Sequence, residues 1–330
     1  MIHVRVGDSA VVLRELEDAS IDSIVSDPPY GLGKVPDIVA VLRAWLTGER
    51  YVQSGGGFMG KEWDSFVPGP EVWRECYRVL RPGGHMLVFA GTRTVDVMGV
   101  ALRLSGFEIR DCIVWLYGQG FPKSHDVSKA IDRAAGAARE IVGARRVPDA
   151  TKLRPCFAAI SNDGDGSPSR MIPVTVPATE DASRWEGWGT ALKPAMEPVL
   201  LVRKSFSGTV AKNVLAHGTG ALNIDGCRVG VKGHAVARIN AGRWPANVVL
   251  DEEAASQLDT ESGVHGGASR FFYCAKASSS ERDAGLGADS CGDEQRRNTH
   301  PTVKPISLMR YLTRLVTPPD GVVLDPFMGS

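Results

Sequence analysis

The sequence predicts an α/β protein with a doubly wound, mainly parallel sheet. Two apolar runs, Ile21–Ser26 and Gly321–Leu324, each end in a polar, turn-forming loop. These loops are Asp27-Pro28-Pro29-Tyr30 and Asp325-Pro326-Phe327-Met328-Gly329-Ser330, about 300 residues apart. Strand-like and helix-like patterns alternate through residues 1–117, which is typical of parallel strands joined by right-handed crossovers. Because doubly wound folds bind ligands where their strands end, both loops are candidate binding loops.

The first elements follow from short local patterns. Residues 2–6 alternate like a short strand, and the turn after them leads into a helix over residues 10–16. Asp22–Ser26 predicts a second strand. The two prolines that follow fix the shape of the loop, because each locks its own φ and restricts the residue before it. Residues 31–65 are glycine-rich and predict an irregular loop beside the site.

The alternation continues to residue 117. Apolar residues at helical spacing predict a helix over residues 70–80, and Arg81–Gly84 ends it. A strand over residues 85–90, a helix over residues 94–105 and a strand over residues 107–117 follow. A later buried run at residues 198–203 predicts a strand that pairs with residues 111–117. Residues 118–197 would then be an insertion between two neighbouring strands.

The remaining chain divides into a loop-rich region and a regular end. Residues 205–298 are rich in Gly, Ser, Asn and Ala, with short strand-like pieces at residues 247–250 and 270–274. Residues 305–316 predict an amphipathic helix, and a strand then leads to Asp325. That strand is expected to be central, with a helix and more sheet after it, yet the sequence given ends at Ser330. We therefore expect a C-terminal truncation.

The amino-acid composition argues against membrane-spanning, exported, and disulfide- or zinc-based classes of protein. The 38 basic residues balance the 38 acidic ones, so net charge gives no indication of nucleic acid binding. No run approaches the ~18–20 apolar residues of a membrane span, and the N-terminus carries no export-signal pattern. The six cysteines are scattered without a Cys-x-x-Cys pair. This argues against a zinc ribbon or a disulfide framework and is consistent with a reducing cytoplasm.

The Asp27–Tyr30 loop suits a planar amino group. The Asp27 carboxylate and the Pro28 carbonyl oxygen can each accept one N–H hydrogen bond, and Pro29 keeps the loop rigid. Tyr30 can stack on a base that has left its duplex, a contact that contributes ~1–3 kcal/mol. Neither a metal ion nor a covalent intermediate is required. The alternative is a structural turn, in which Asp27 caps the loop and Tyr30 belongs to the core.

Two segments resemble motifs of a known family. Asp22–Tyr30 resembles the catalytic motif of amino-methyltransferases that act on DNA, and residues 299–305 with residues 323–330 resemble their cofactor motifs. A catalytic motif that precedes the cofactor motif is similar to the circularly permuted β class. The resemblance implies a Rossmann-like, seven-stranded type of methyltransferase sheet with an inserted target-recognition region. It also implies S-adenosylmethionine as the cofactor.

The resemblance assigns roles to further residues. Asp325, Pro326, Phe327 and Gly329 would form the S-adenosylmethionine loop. His300 and Lys304 would lie on the segment that covers the cofactor, and Asp8 would face its adenine. Structural alternatives stay open: Asp8 as a helix N-cap, Lys304 as a surface residue and His300 as a loop residue bonded to backbone.

The resemblance also implies how the chain is divided into regions and which partners it binds. Residues 1–117 would be the catalytic half, 118–190 an insertion, 191–204 a returning strand, 205–298 a target-recognition region, and 299–330 the start of the cofactor half. The partner would be double-stranded DNA in a bacterial or phage-infected cell, and the resemblance allows a homodimer and a cognate restriction enzyme. Side chains that could contact DNA are Arg145, Arg146, Lys152, Arg154, Arg184, Trp185, Trp188, Arg243 and Trp244.

The predicted function is methyl transfer to adenine N6 of a flipped-out base. Family members with Asp at the first motif position mostly modify adenine, but cytosine N4 needs the same two acceptors and is the close alternative. An alternative from another class is a catalytically defective DNA-binding fragment. Methylation of RNA or of protein glutamine is disfavoured by the permuted order and the large insertions. A dehydrogenase is disfavoured because no Gly-x-Gly-x-x-Gly follows a strand.

Overall fold

The structure of the protein is a computed structural model. The residues that it describes are 2–31, 33, 36–53, 65–118, 120, 124–148, 169–230, 242–263, 267–275 and 304–328. Over these residues the α-helices are α1 (Ser9–Val12), α2 (Ile38–Thr47), α3 (Pro70–Val79), α4 (Val95–Leu104), α5 (Val127–Ala134), α6 (Glu180–Arg184), α7 (Val210–His217), α8 (Glu252–Ser262) and α9 (Ile306–Val316). The strands are β1 (Ile21–Ser26), β2 (Leu80–Phe89), β3 (Glu108–Leu116), β4 (Ile141–Pro148), β5 (Ser169–Thr175), β6 (Met196–Arg203), β7 (Val248–Asp251), β8 (Tyr273–Ala275) and β9 (Val323–Leu324).

The chain forms two compact units. The first contains Met1–Gly118, Met196–Arg282 and Val303–Ser330, and it holds a seven-stranded sheet in the order β8-β7-β3-β6-β2-β1-β9. Strand β6 runs antiparallel to both of its neighbours, while the other pairs are parallel. The predicted pairing of the later strand with β3 is thus confirmed. The sheet is mixed, with the parallel pairs in the majority.

Helices pack on both faces of this sheet, as the doubly wound prediction requires. Adjacent residues of a strand point to opposite faces. Ile24 therefore packs in a cluster with residues of α2, α3 and α4, whereas Val25 packs in a cluster with residues of α9. Strand β1 is buried along its whole length, including its polar residues Asp22, Ser23 and Ser26.

The second unit contains Gln119–Ala195 and Asp283–Thr302. Its strands β4 and β5 form a two-stranded antiparallel sheet beside helices α5 and α6. The buried Asp132 organises this unit. Its carboxylate accepts hydrogen bonds from the backbone N–H groups of Ala178 and Thr179 and from the guanidinium of Arg139.

Three local predictions were wrong. Residues 2–6 are exposed and form no strand. The region predicted to be irregular contains α2, whose first turn is capped by Asp37 and whose Val41 and Trp45 are buried. Strand β2 begins at Leu80, before the predicted turn, because it pairs there with Ile21. Strand β9 pairs with β1 alone among the described strands, and its expected central position, which depends on sheet beyond Ser330, stays a prediction.

Strand β9 is fixed beside β1 by a buried carboxylate. Asp22 is 3% exposed and accepts the backbone N–H of Val322 at 2.7 Å and the guanidinium of Arg81 at 2.7 Å. A buried carboxylate without such partners would be strongly unfavourable. The aspartate therefore specifies where the last strand enters the sheet.

We expect acid to destabilise the first unit through His85. This residue is buried in β2, and burial together with the charges of Arg203 and Arg110 lowers its pKa to about 4. In the unfolded chain its pKa is near 6.5. Below pH 6.5 the unfolded chain binds a proton that the folded protein excludes. The contribution of neutral His85 to the free energy of unfolding is therefore complete above pH 6.5 and is lost as the pH falls. It should fall by about 3 kcal/mol as the pH drops from 7 to 4.

Urea unfolding of the wild type and of His85→Gln across this pH range measures the effect. The variant should lose about 3 kcal/mol less than the wild type between the two pH values. An identical pH dependence in both proteins would contradict the prediction.

Candidate active site

The sheet brings the two predicted binding loops together. Strands β1 and β9 are parallel neighbours, with Ser23 opposite Val323 and Ile24 opposite Leu324. Their carboxyl ends therefore meet at the same edge of the sheet. At this edge the hydroxyl of Ser26, the last residue of β1, donates a hydrogen bond to the carboxylate of Asp325, which follows β9 and lies 299 positions further along the sequence.

Asp27 is the centre of a cluster of polar side chains. The Tyr30 hydroxyl lies 2.8 Å from Asp27 Oδ1 and 2.8 Å from Glu197 Oε2, so its proton is shared between two carboxylate acceptors. Lys304 Nζ donates to Asp27 Oδ2 at 2.8 Å and lies 3.1 Å from Glu197 Oε2. We call Asp27, Tyr30, Glu197 and Lys304 the amine cluster.

The ammonium of Lys304 is enclosed. Its side chain is 5% exposed, and Nζ lies 5.3 Å from the ring centroid of Tyr30 and 5.1 Å from that of Phe89. Burial lowers the pKa of Lys304, but the charges of Asp27 and Glu197 outweigh it, so the pKa is raised. Burial and the same two carboxylates raise the pKa of Tyr30 well above its ordinary value. At neutral pH the cluster holds an ammonium and a protonated phenol.

Neighbouring elements fix the backbone of the first loop. The Thr94 hydroxyl, at the start of α4, donates to the Tyr30 carbonyl oxygen at 2.7 Å. Gly31 follows with φ of +64°, and a Cβ at that position would lie 2.9 Å from the Cα of Phe66. The residue after Tyr30 must therefore be glycine, both for its backbone conformation and for space.

The second loop is a tight turn with aromatic support. Asp325 Oδ1 accepts the backbone N–H of Phe327 at 3.0 Å, and the Ser9 hydroxyl donates to the Pro326 carbonyl oxygen at 2.7 Å. The Phe327 ring lies 5.8 Å from that of Trp73. Burial raises the pKa of Asp325, with Asp27 adding to the effect and the hydrogen bonds from Ser26 and Phe327 opposing it.

Asp8 lies next to this turn. It caps α1 by accepting the backbone N–H of Ala10 at 2.8 Å, and its exposed side chain lies 3.8 Å from the guanidinium of Arg50. The residue after it, Ser9, holds Pro326. The structural alternative for Asp8, a helix N-cap, is therefore present, and it places the carboxylate beside the candidate cofactor loop.

The structure groups most of the predicted site residues. Asp27, Tyr30 and Lys304 are in direct contact, while Asp325, Pro326 and Phe327 form the neighbouring turn. Pro28 is buried and Pro29 is partly buried. His300 and Gly329 lie outside the described residues. Lys304 was predicted to cover the cofactor, whereas its observed partners are the carboxylates of the amine cluster.

Sequence reasoning missed Glu197. Strand β6 is antiparallel, so its amino end lies at the edge where the parallel strands end. Glu197, at that end, has a side chain that is 16% exposed. A charged residue directly before a buried apolar run was the available signal. It acquires meaning only when the direction of the strand is known.

The polar and aromatic side chains in and beside the second loop fit S-adenosylmethionine. This cofactor carries an ammonium, a sulfonium, ribose hydroxyls and an adenine ring. Asp8 and Asp325 supply carboxylate acceptors for such groups, and Trp73 with Phe327 supplies aromatic surface. The hydrogen bond from Ser26 to Asp325 connects this turn to the loop that begins at Asp27.

Comparison with known proteins establishes the family. A family model described as DNA methylase, of the N6/N4 type, matches residues 21–141 and 248–330, together more than half of the chain. The chain therefore belongs to the DNA methylase family. As a member of this family it is a DNA methyltransferase of the N6-adenine or N4-cytosine kind, with S-adenosylmethionine as methyl donor. No helix among the described residues has the length and apolar character needed to cross a membrane.

Several relatives share the similarity. The chain is 23% identical to the Type II methyltransferase M.HindIII of Haemophilus influenzae over 98% of this chain and 83% of the relative. It is 32% identical to the DNA adenine methyltransferase YhdJ of Escherichia coli over 34% of this chain and 32% of that protein.

Among solved structures, the M1.HpyAVI–SAM complex aligns with a TM-score of 0.37 at 14% identity, covering 100% of this chain and 84% of that one. The cytosine-N4-specific PvuII DNA methyltransferase aligns with a TM-score of 0.39 at 13% identity, covering 97% and 72%.

We expect Tyr30 to remain protonated in alkaline solution. An ordinary tyrosine has a pKa near 10, whereas burial and two carboxylates raise that of Tyr30 well above this value. In protein labelled with ¹³C at tyrosine Cζ, the Tyr30 resonance is identified by its absence from Tyr30→Phe. It should keep its protonated chemical shift at pH 10.5, and a transition centred near pH 10 would contradict the geometry of the cluster.

Proposed function

We propose that this DNA methyltransferase acts on N6 of an adenine that has flipped out of double-stranded DNA. One observation carries the proposal. The amine cluster already holds a nitrogen that bears hydrogens, that of Lys304, against Asp27 and Glu197. The turn that would hold the methyl donor is connected to the same loop through Ser26 and Asp325. An exocyclic amine presents the same kind of N–H donors to Asp27.

The proposed chemistry requires two acceptors and a positioned donor. The exocyclic amine is a poor nucleophile because its lone pair is delocalised into the ring. Hydrogen bonds from its N–H groups to the Asp27 carboxylate and the Pro28 carbonyl would direct the lone pair at the methyl group. Bound S-adenosylmethionine supplies that methyl: the N–C bond forms as the C–S bond breaks. Asp27 stabilises the positive charge on the nitrogen until an N–H proton leaves for solvent.

We assign the remaining site residues by the same proposal. Tyr30 would stack on the flipped base, with Pro29 keeping its loop rigid. Asp325, Pro326, Phe327 and Gly329 would cradle the methyl donor, and Asp8 would face its adenine. His300 would lie on the covering segment. For Lys304, the observed contacts support a position at the amine site in addition to that segment.

The choice of adenine rests on Asp27 and on one relative. By resemblance, Asp at the first motif position accompanies adenine, and YhdJ is named a DNA adenine methyltransferase. Cytosine N4 presents the same amine to the same acceptors and is the alternative outcome.

DNA contact is proposed for the second unit. There the rings of Trp185 and Trp188 lie 5.0 Å apart in an edge-to-face pair, and they are 44% and 60% exposed. Exposed aromatic rings beside a cation such as Arg184 suit bases and phosphates. The relatives named Type II methyltransferases support a cognate restriction enzyme as a partner. We extend the proposal to a homodimer and to the cytoplasm of a bacterial or phage-infected cell.

The identity of the modified base is tested directly. Unmethylated DNA is incubated with the full chain and isotope-labelled S-adenosylmethionine, digested to nucleosides and analysed by mass spectrometry. We expect labelled N6-methyladenine. Labelled N4-methylcytosine would instead show that cytosine is the modified base. DNA binding without either product, and without cofactor binding by calorimetry, would indicate a DNA-binding fragment.

Loss of Asp27 should stop the chemistry and leave the fold intact. Asp27→Ala removes the acceptor that faces the developing charge, so we expect methyl transfer to fall by at least about 100-fold. Cofactor affinity by calorimetry should be largely unchanged. The control is Asp225→Asn, an exposed carboxylate paired with Arg228, which should keep wild-type activity. Substantial transfer by Asp27→Ala would refute the mechanism.

Substitutions of Tyr30 separate its ring from its hydroxyl. Stacking acts only on the flipped base. Tyr30→Ala should therefore reduce turnover by about 5- to 100-fold and reduce the affinity for duplex DNA by less than that. Tyr30→Phe keeps the ring and should lose less. Turnover and duplex affinity are measured on one DNA substrate, and equal losses in both would count against stacking of the base on Tyr30.

A further inference from the structure

We propose that Glu197 is a positioning residue for methyl transfer, which acts by offsetting the charge of Lys304 at the Asp27 site. The inference deepens the proposed function and rests on it. Glu197 contacts the Tyr30 hydroxyl at 2.8 Å and lies 3.1 Å from the Lys304 ammonium. It therefore contacts both side chains that bind Asp27.

The charges of the cluster explain why a second carboxylate is needed. Lys304 forms a 2.8 Å ion pair with Asp27, and such a pair by itself has no net charge. The proposed reaction places a positive charge on the target nitrogen, and a neutral pair stabilises that charge poorly. With Glu197 included, the two carboxylates and the ammonium of the amine cluster sum to one negative charge. That net charge opposes the one that develops on the amine.

Glu197 in turn needs Lys304, because its carboxylate lies close to that of Asp27. Two carboxylates that share one tyrosine proton repel each other in a buried site. The ammonium of Lys304 lies between them and offsets that repulsion. Its raised pKa, in which the attraction of Asp27 and Glu197 outweighs burial, agrees with this arrangement.

The fold holds Glu197 where this role requires it. It is paired in register with Trp115 of β3, and Pro198 follows it, so its backbone belongs to the rigid start of β6. Strand β6 lies next to β2, whose Phe89 closes the apolar side of the Lys304 ammonium. The low exposure of both side chains, 16% and 5%, limits screening by water.

A charge-compensation experiment tests the inference. The variants are Glu197→Gln, Lys304→Met and the double variant, and the control is Glu108→Gln. Glu108 pairs with Arg203 between the same two strands, away from Asp27. The rate constant kcat and the KM for DNA are measured by the nucleoside assay, and thermal unfolding verifies that each protein is folded.

Glu197→Gln leaves Asp27 neutralised by Lys304, so kcat should fall at least about tenfold while KM for DNA changes by less than about threefold. The double variant restores one net negative charge and should recover most of the lost kcat. Both replacing side chains are neutral. Asp27 loses its ion pair with Lys304, but its side chain is 26% exposed and keeps the hydrogen bond from the Tyr30 hydroxyl, so the double variant should fold. Glu108→Gln should match the wild type.

The contrary results are distinct. A folded double variant that is no faster than Glu197→Gln, or that is inactive, would overturn the inference, because a purely structural glutamate is not rescued by removal of Lys304. A Glu197→Gln protein with the kcat of Glu108→Gln would overturn it as well. Methyl transfer by the wild type tests the proposed function separately, so failure of one is distinguishable from failure of the other.

Discussion

The parallel pairing of β1 with β9 is the constraint on which the candidate site depends. It joins residues near the start of the chain to residues near Ser330, and it aligns their carboxyl ends at one edge of the sheet. Asp22 holds this pairing through the backbone N–H of Val322. Without that register, Ser26 would not meet Asp325, and the two loops would be separate turns instead of one site.

A second consequence of the sheet is the buried charge of the amine cluster. A single buried carboxylate or ammonium is costly, whereas a set in which each charged group has an opposite charge or a hydrogen-bond donor is tolerated. Asp27, Glu197 and Lys304 satisfy one another, and the Tyr30 hydroxyl donates to the carboxylates. The residues come from three parts of the chain, so the cluster exists only in the folded state. The ammonium of Lys304 also lies beside the rings of Tyr30 and Phe89.

Local patterns predicted the elements that carry strong signals. The strands β1 and β3 and the helices α3, α4 and α9 lie where apolar periodicity placed them, within a residue or two. Weak signals failed. The alternation at residues 2–6 has no partner strand among the described residues, and glycine content hid α2, whose helix depends on the burial of Val41 and Trp45. Periodicity records which face of a segment is apolar, but it does not record whether another segment covers that face.

The sequence by itself determined the chemistry of the two loops. An acidic residue before two prolines and a tyrosine, and a small-residue turn after a second strand, are local facts that need no neighbour to be recognised. The tertiary structure alone decided which side chains meet there. It placed Lys304 on Asp27, and it brought Glu197 to both because β6 runs antiparallel. Strand direction and order depend on packing across the whole sheet, and no single segment of sequence encodes them.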